Sequence, residues 1–415
     1  MKLNNKQLIP QLRFSEFEGE WEKRKLGQLG VFRGGGTPST TNENYWIGNI
    51  PWISSSDISE KDIFNLKITR YLSEEAIDDS ATKIIPKGSV LFVSRVGVGK
   101  LAVSKIKLCT SQDFANLLPK TDNSFFIAFY FLSKNKLLHQ YAQGTSIKGF
   151  TTGDLKSIPI NCPQLPEQQK IASFLTDVDT KITQITKKKA LLEQYKKGVM
   201  QKIFKQELRF KPDHSEAEGD EGNAFPEWEE KKLGEVAKFI KGKGLPKSEI
   251  SDDGKYKCIH YGELFTKYNE LINNVISRTN YNDKAILSIE NDVLMPTSDV
   301  TPNGLATASC LKEPNVILGG DVLIIRQNIK KIEGVYLAYY IKHFRNDVMK
   351  LVSGSTVYHL YGSDMKNLKI KTPSIAEQTK IANFLSAIDL KIEALNTKIE
   401  SSKAFKKGLL QQMFV

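Results

Sequence analysis

Glycine-rich loops that also carry cationic and hydroxyl side chains are the segments of this sequence best suited to bind an anion. Two of them are R-G-G-G-T-P-S-T (33–40) and K-G-K-G-L-P-K (241–247), and a matching pair lies at 144–151 and 354–361. Their N–H, hydroxyl and ammonium groups suit phosphate oxygens, and the longer side chains suit base edges. Ordinary turns with solvated lysines account for any single residue equally well. The candidate binding residues are Arg33, Thr37, Ser39, Arg95, Lys100, Thr145, Lys148, Lys241, Lys243, Lys247, Tyr358, His359 and Tyr361.

Sequence motifs of catalysis are incomplete or absent. The segment G-V-G-K-L-A (97–102) resembles a phosphate-binding loop, but it lacks the first glycine of that motif and the Ser or Thr that follows its lysine. Cys258, His260 and Glu263 lie close together, yet three candidates without a matching set elsewhere do not make a zinc site. The sequence therefore predicts no catalytic residue, no metal ligand and no cofactor on this chain, and it indicates a binding protein.

The composition favours a polyanionic partner and a reducing compartment. The chain has 415 residues, and 59 basic against 47 acidic residues give a net charge of +12. The four cysteines are scattered without a C-x-x-C pair, which is typical of a cytosolic protein. No apolar run reaches the roughly 18 residues of a membrane span. We therefore expect a globular cytoplasmic protein.

The elements that must position these loops occur twice. P-E-Q-Q-K-I-A-S-F-L-T-D-V-D-T-K-I (166–182) returns 210 residues later as A-E-Q-T-K-I-A-N-F-L-S-A-I-D-L-K-I (376–392), with ten of seventeen positions identical. The same lag relates 195–204 to 405–414 and 144–156 to 354–366, and E-W-E-K-R-K-L-G (20–27) returns as E-W-E-E-K-K-L-G (227–234). The units have similar ends and dissimilar middles, which indicates a duplicated domain.

Both similar tails have the pattern of long helices that pair along a seam. A 4-3 spacing from Ile171 and from Ile381 selects ten positions in each tail, of which eight are apolar. The simplest partner of each seam is the other copy, packed antiparallel, and the alternative is that each helix packs only on its own domain. From Ile171 to Phe204 such a helix is about 50 Å long. The predicted seam residues are Ile171, Leu175, Val178, Ile182, Ile185, Leu192, Ile381, Leu385, Ile388, Ile392, Leu395 and Ile399.

The dissimilar middles, 28–160 and 235–370, mix short apolar strands with helical runs. We predict strands at 90–98 and 292–297 and helices at 125–134 and 334–343. Each middle is then an α+β domain with its own core.

At this point the chain resembles a known family, the specificity (S) subunits of type I restriction–modification systems. The resemblance rests on the two E-W-E-x-x-K-L-G starts, the paired segments that end in D-L-K (154–156) and D-M-K (364–366), and the two E-Q-x-K-I-A-x-F-L helices, and it covers nearly the whole chain. It implies an α+β fold with two α/β target recognition domains in a pseudo-twofold arrangement, joined by two long helices that form an antiparallel coiled coil.

The resemblance also implies a function, partners and domain boundaries. Each recognition domain would read one half of a bipartite double-stranded DNA site in a bacterial or archaeal cytoplasm, and the helices would set the spacing and dock two methyltransferase (M) subunits. S-adenosylmethionine would bind to those subunits, and ATP and Mg²⁺ to restriction (R) subunits. The expected segments are an arm (1–19), recognition domain 1 (20–163), a central conserved helix (164–205), a linker (206–224), recognition domain 2 (225–373) and a C-terminal conserved helix (374–415).

Two other classes of protein share part of this pattern. A repressor or recombinase would have the basic charge, but a reader of palindromic sites does not need two dissimilar middles. A coiled-coil scaffold with no role in DNA binding would have the helices, and its partner binding would not depend on salt.

Overall fold

The computed structural model describes residues 7–142, 149–212 and 224–415, so Thr145 and Lys148 lie outside the described residues. The chain divides into two compact units. The first consists of Met1–Thr186 and Thr397–Val415, and the second of Lys187–Asn396. Each unit therefore contains a stretch of both long helices. None of the described helices is long and apolar enough to cross a membrane.

In the first unit, short strands surround a helix that is almost wholly apolar. The helix α2 is capped by Asn123, whose side chain accepts a hydrogen bond from the Phe126 N–H. The helices of this unit are α1 (Glu74–Asp78), α2 (Ser124–Ser133), α3 (Asn135–Tyr141) and α4 (Thr152–Ser157). The strands are β1 (Glu22–Lys25), β2 (Gly30–Gly34), β3 (Ile50–Ile53), β4 (Arg70–Leu72), β5 (Val90–Val93), β6 (Leu101–Val103), β7 (Cys109–Thr110), β8 (Phe114–Pro119) and β9 (Pro159–Cys162).

The strands of the first unit form three sheets. The largest is antiparallel with the order β2-β8-β5-β6, the second has the order β4-β3-β7, and β1 pairs antiparallel with β9. All four residues of β5 are buried, as expected for a central strand covered on both faces. One face packs on α2 in the main core, and the other packs in a smaller core that includes Ile53 and Leu108.

A long helix, α5 (Leu165–Phe204), leads from the first unit into the second. The second unit contains α6 (Glu263–Thr266), α7 (Pro302–Leu305), α8 (Gly334–His343), α9 (Arg345–Met349), α10 (Gly362–Met365) and the start of the second long helix, α11 (Ile375–Gln412). Its strands are β10 (Glu229–Lys232), β11 (Ala237–Lys241), β12 (Ile250–Ser251), β13 (Tyr256–Ile259), β14 (Leu271–Ile272), β15 (Arg278–Thr279), β16 (Ile286–Leu287), β17 (Asp292–Pro296), β18 (Ser298–Asp299), β19 (Ser309–Leu311), β20 (Ile317–Leu318), β21 (Val322–Gln327), β22 (Tyr358–His359) and β23 (Lys369–Thr372).

The second unit repeats the arrangement of the first with larger sheets. One sheet has the order β11-β21-β17-β19-β14, another has the order β12-β15-β13-β20-β16, and β10 pairs with β23 and β18 with β22. The helix α8 packs in the main core, as α2 does in the first unit. The strand predicted at 90–98 is confirmed only over β5, which ends at Val93, and the strand predicted at 292–297 is β17. The helices predicted at 125–134 and 334–343 are α2 and α8.

The duplicated sequence motifs contact each other within each unit. The Leu26 N–H donates to the Ile158 carbonyl at 2.9 Å in the first unit, and the Leu233 N–H donates to the Leu368 carbonyl at the same distance in the second. The glycine after each leucine lies against a lysine side chain, since a Cβ on Gly234 would stand 3.1 Å from Lys366 Cβ. The L-G and D-[LM]-K motifs therefore recur together because they are two sides of one contact.

The long helices run antiparallel where they pair. In the second unit Lys189 donates to Asn396 at 3.0 Å, and Lys196, seven residues further along α5, binds Asp389, seven residues back along α11. In the first unit Lys406 of α11 binds Asp179 of α5 at 2.7 Å. Every predicted seam residue is buried or half-buried.

Each long helix reaches a phenylalanine that fills the core of the unit in which it ends. Phe204 packs against Trp228 and Tyr340 with ring centroids 6.4 and 5.6 Å apart. Phe414, just beyond α11, packs against Trp21 and Tyr130 at 6.2 and 6.0 Å. The aromatic residue that closes both tail motifs is therefore a core residue.

Candidate nucleic-acid interface

The glutamate shared by both repeats is a buried hydrogen-bond acceptor rather than part of a ligand site. Glu167 is 2% exposed and accepts from Arg13 Nε and Nη2, both at 2.8 Å, and from Trp21 Nε1 at 3.2 Å. Its partners come from the L-R-F segment and the E-W-E start. A buried carboxylate needs such a cation and such donors to stay charged. The network fastens the chain before β1 to the first turn of α5.

The second unit contains the same network. Glu377 accepts from Arg209 Nη2 at 2.8 Å and from Trp228 Nε1 at 3.2 Å, and this pairing raises the pKa of Arg209. Arg209 and Phe210 belong to the segment 206–224 that the sequence predicts as a linker, yet Phe210 packs on Phe384 of α11. These arginines were not predicted as partners of the glutamates. The repeated L-R-F at 12–14 and 208–210 was the available signal.

The ion pairs between the helices differ in their surroundings. In the second unit Lys196 binds Asp389 and also Glu270, at 3.1 Å, and Lys342 binds the same Glu270. Ile63 occupies the position in the first unit that Glu270 occupies in the second. The Ile63 carbonyl accepts from the Val103 N–H, and the Glu270 carbonyl accepts from the Cys310 N–H, 40 residues along the chain in both cases. The first unit therefore has no glutamate at this position, and Asp179 forms its ion pair with Lys406.

The lysines near the end of α5 divide into two groups. Lys189 and Lys196 point at α11 and are bound there. The remaining five are exposed and are available to a partner; they are Lys187, Lys188, Lys197, Lys202 and Lys205.

In the first unit the candidate residues after β2 follow an exposed strand end. Arg33 is exposed on β2 and donates to the Ile84 carbonyl at 3.2 Å. The Thr37 hydroxyl binds the Gln112 side chain, and the Ser39 hydroxyl lies 2.8 Å from Thr41 Oγ1. The contact between Thr37 and Gln112 joins the loop to the segment between β7 and β8.

The loop after β5 lies next to that segment. The Ser94 N–H donates to the Asp113 carbonyl at 2.7 Å, and Asp113 directly follows Gln112, which binds Thr37. Arg95 is exposed, and Lys100 Nζ is 3.4 Å from the Ser55 carbonyl. The structure therefore brings Thr37 and Arg95 to one region of the first unit.

In the second unit the three candidate lysines lie at the end of β11 and in the loop that follows it. Lys241 is 66% exposed and lies 3.5 Å from Asp321, while Lys243 and Lys247 are exposed in the loop that follows. The main chain of this loop is fixed because the Lys243 N–H donates to the Leu318 carbonyl at 3.1 Å. Together these residues form a basic edge.

Tyr358, His359 and Tyr361 adjoin this basic edge. The Asp321 carboxylate binds Lys241, and the Asp321 main-chain carbonyl accepts from the Thr297 N–H at 2.9 Å. The Thr297 carbonyl in turn accepts from the Leu360 N–H at 3.0 Å. The rings of His359 and Tyr361 stack with centroids 6.0 Å apart. The structure therefore places all the second-unit candidates at one end of its sheets.

The two units build this region from corresponding loops. In the first unit the Ser94 carbonyl accepts from the Phe150 N–H. In the second unit the Thr297 carbonyl accepts from the Leu360 N–H in the same way. The next residue is Arg95 in the first unit and Ser298 in the second. The main-chain hydrogen bonds that position these loops are the same in both units, and the side chains that the loops present are different.

The cluster of Cys258, His260 and Glu263 is occupied by internal contacts. Glu263 accepts from the His260 N–H at 2.8 Å and binds Lys267 at 2.9 Å. Burial raises the pKa of Cys258 to about 11, so its thiol stays protonated at neutral pH. The three side chains serve the local fold.

The duplicated α+β chain presents exposed cationic side chains on corresponding strands of its two units, Arg33 on β2 and Lys241 on β11. The model of the type I restriction modification DNA specificity domain matches this chain twice, over residues 18–194 and 226–402. These matches cover well over half of the chain, which therefore belongs to this family of specificity subunits.

Individual relatives resemble the chain over different lengths. It is 27% identical to the type I restriction enzyme MjaIX specificity subunit of Methanocaldococcus jannaschii, across 95% of this chain and 92% of that protein. It is 32% identical to the EcoR124I/EcoR124II specificity subunit of Escherichia coli, across 42% of this chain and 44% of that one. The crystal structure of an S subunit from M. genitalium has the same fold, with a TM-score of 0.64 and 17% identity over 98% of this chain and 99% of that one.

Proposed function

We propose that this chain gives a type I restriction–modification complex its DNA sequence specificity, and that each unit reads one half of a bipartite site. The observation that carries the proposal is that the two units share their structural contacts but differ in the side chains of their candidate binding loops. The Arg–Glu–Trp networks and helix ion pairs recur in both units. The side chains at the candidate interface differ, with Arg95 in one unit where the other has Ser298.

This contrast fits the physical demands of the task. Two different half-sites present different donors, acceptors and methyl groups in the major groove, so they require different side chains on the two units. Phosphate contacts carry no sequence information and need only cations. The exposed lysines of the basic edge provide these in the second unit.

We further propose that the helices dock two methyltransferase subunits, one through each repeat. Tyr195 of α5 is 53% exposed, and Phe405, at the corresponding position of α11, is 59% exposed. Large aromatic side chains in such positions are typical anchors of protein interfaces. Catalysis, S-adenosylmethionine, ATP and Mg²⁺ would then belong to the methyltransferase and restriction subunits.

The test is an exchange of residues 235–370 with the corresponding residues of a relative that recognises another sequence. The hybrid and its parent are purified with their methyltransferase subunits, and the methylated sequence of each is determined. We expect one half of the sequence to change and the other half to stay. Exchange of residues 28–160 is the matched control and should change only the other half. A change in both halves, or in neither, would contradict the proposal.

Salt dependence separates this proposal from a scaffold without a role in DNA binding. Between about 50 and 200 mM salt, a complex that neutralises many phosphates loses roughly a thousandfold or more in affinity. Affinity is measured for a duplex with the methylated sequence and for a scrambled one. A scaffold would bind neither duplex, and a homodimeric reader would prefer a palindrome.

A further inference from the structure

A two-stranded ribbon with an apolar tip stands out on the second unit. The strands β18 and β22 pair antiparallel, with Ser298 opposite His359 and Asp299 opposite Tyr358. Val300 directly follows β18 and Val357 directly precedes β22, so both lie at the same end of the ribbon. Val300 is 73% exposed and Val357 is 44% exposed. The end of this otherwise polar ribbon therefore presents two apolar side chains to solvent.

The ribbon is held rigidly although its tip is exposed. The His359 and Ser353 main chains exchange two hydrogen bonds of 2.8 and 3.0 Å, and the neighbouring Leu360 is fully buried. Gly354 has a positive φ of 109°, and a Cβ there would stand 2.2 Å from the Val357 carbonyl. Only glycine fits this turn, which fixes the main chain at Val357.

Charge and shape around the ribbon favour DNA as the occupant. Lys241, Lys243 and Lys247 lie exposed on the adjoining basic edge, and cations of this kind suit the phosphates of a DNA backbone. The major groove admits a two-stranded ribbon, and the one apolar group that base pairs present there is the 5-methyl group of thymine.

We propose that Val300 and Val357 recognise a thymine in the half-site of the second unit by packing against its 5-methyl group. The proposal rests on the function proposed above and names the residues and the base. It concerns one half-site, because the corresponding loop of the first unit presents Arg95 instead. A long cation of that kind favours guanine.

Deoxyuridine lacks only the methyl group of thymine and tests the proposal directly. The full chain is purified with its methyltransferase subunits, and each thymine of the second half-site is replaced in turn by deoxyuridine. At one position we expect affinity to fall about fourfold, the factor for one buried methyl group. Val300→Ala should lose a similar factor on the thymine duplex and show no further loss on the deoxyuridine duplex.

Two further variants guard the interpretation. Val300→Thr keeps the side-chain shape but replaces a methyl group with a hydroxyl group, and it should behave like Val300→Ala. Ile329→Ala removes another exposed side chain, which is 63% exposed and lies beyond the end of β21 that is remote from the ribbon. It should change the affinity for neither the thymine duplex nor the deoxyuridine duplex. Melting curves show that each variant is folded.

Equal sensitivity of wild type and Val300→Ala to deoxyuridine at every position would overturn the proposal. A second half-site without thymine on either strand would overturn it too. In both cases specific binding to a bipartite sequence persists, so the proposed function stands. Absence of any sequence-specific binding would contradict the proposed function as well.

Discussion

At the scale of single residues, the pairs that join the two long helices combine burial with charge. Asp179 is half-buried, burial raises its pKa against the effect of Lys406, and its Oδ2 atom makes no hydrogen bond among the described residues. Removal of one partner from such a pair leaves the other charge poorly solvated. The pair therefore specifies the register of the helices more than it adds stability.

Loss of the cation alone should be costly. We expect Lys406→Met to lower the free energy of unfolding by about 3 kcal/mol, because Asp179 then lacks its counter-charge. Denaturant titration measures the change. Lys407→Met, at an exposed neighbour, is the control and should stay within about 0.5 kcal/mol. Adding Asp179→Leu to Lys406→Met should recover most of the loss, and no recovery would contradict this account.

Glu270 should make the second unit sensitive to acid. Burial alone would raise its pKa, but Lys342 and Lys196 outweigh burial and hold the pKa below the ordinary value of 4.5. A carboxyl with a lowered folded-state pKa stabilises the fold above its unfolded pKa, and this stability is lost as pH falls through the folded pKa. The groups that face it are Lys196 and Lys342, with Asp389 and Tyr339 bound to the same network.

The measurement is hydrogen exchange in α8 and in the stretch of α5 that contains Lys196, at neutral pH and near pH 4. Wild type should lose protection between these conditions. Glu270→Gln should be less protected at neutral pH and should lose less on acidification. Glu393→Gln, an exposed carboxyl on α11, serves as the control. An identical pH response of wild type and Glu270→Gln would show that this carboxylate is not the group responsible.

At the scale of elements, each long helix has a buried face and an exposed face. Their seam residues pack inward, and corresponding aromatic residues stay outside. We expect Tyr195→Ala and Phe405→Ala each to weaken the binding of one methyltransferase subunit at least tenfold, since interface anchors of this kind contribute 2 kcal/mol or more. Native mass spectrometry should then show complexes with one such subunit, and the double variant should bind none.

The fold should tolerate these substitutions because both side chains are largely solvated. Glu193→Ala is the matched control on α5, and Lys403→Ala is the control on α11, both at exposed positions. Full occupancy by two methyltransferase subunits in the double variant would place the docking surface elsewhere.

At the scale of the whole molecule, helix length should determine the spacing of the two half-sites. Deletion of residues 184–190 and 395–401 removes seven residues from each helix. It preserves the phase of the seam and retains both Asp179–Lys406 and Lys196–Asp389. Seven residues are about 10.5 Å of helix, so the preferred spacer should shorten by about 3 bp while the half-sites stay unchanged.

The spacer is read from the methylated sequence of the shortened complex. Deletion of residues 184–190 alone is the control, because it cannot retain both ion pairs and should destabilise the chain. A shortened complex with the original spacer would show that the helices do not set the distance.

Much of the fold could be predicted because the helix seams and the duplication depend on local or repeated patterns. Ile171 and Leu175 recur as Ile381 and Leu385, and all four are buried. The repeated L-R-F segments marked Arg13 and Arg209 but not their partners, because the bonds Arg13–Glu167 and Arg209–Glu377 join residues about 160 positions apart and repeat at unequal lags. The binding residues themselves stay predictions.

The sequence by itself determined the duplication, the long helices and the family, because periodic apolar positions and repeated motifs specify these without reference to distant contacts. Only the tertiary structure decided that the shared Glu167 and Glu377 are buried acceptors, that Lys196 belongs to a buried network, and that Val300 and Val357 lie exposed at the same end of a ribbon. The physical reason is that burial and partnership depend on which segments fold against each other. A glutamate, a lysine or a valine has the same letter in the sequence whether it faces water or the core.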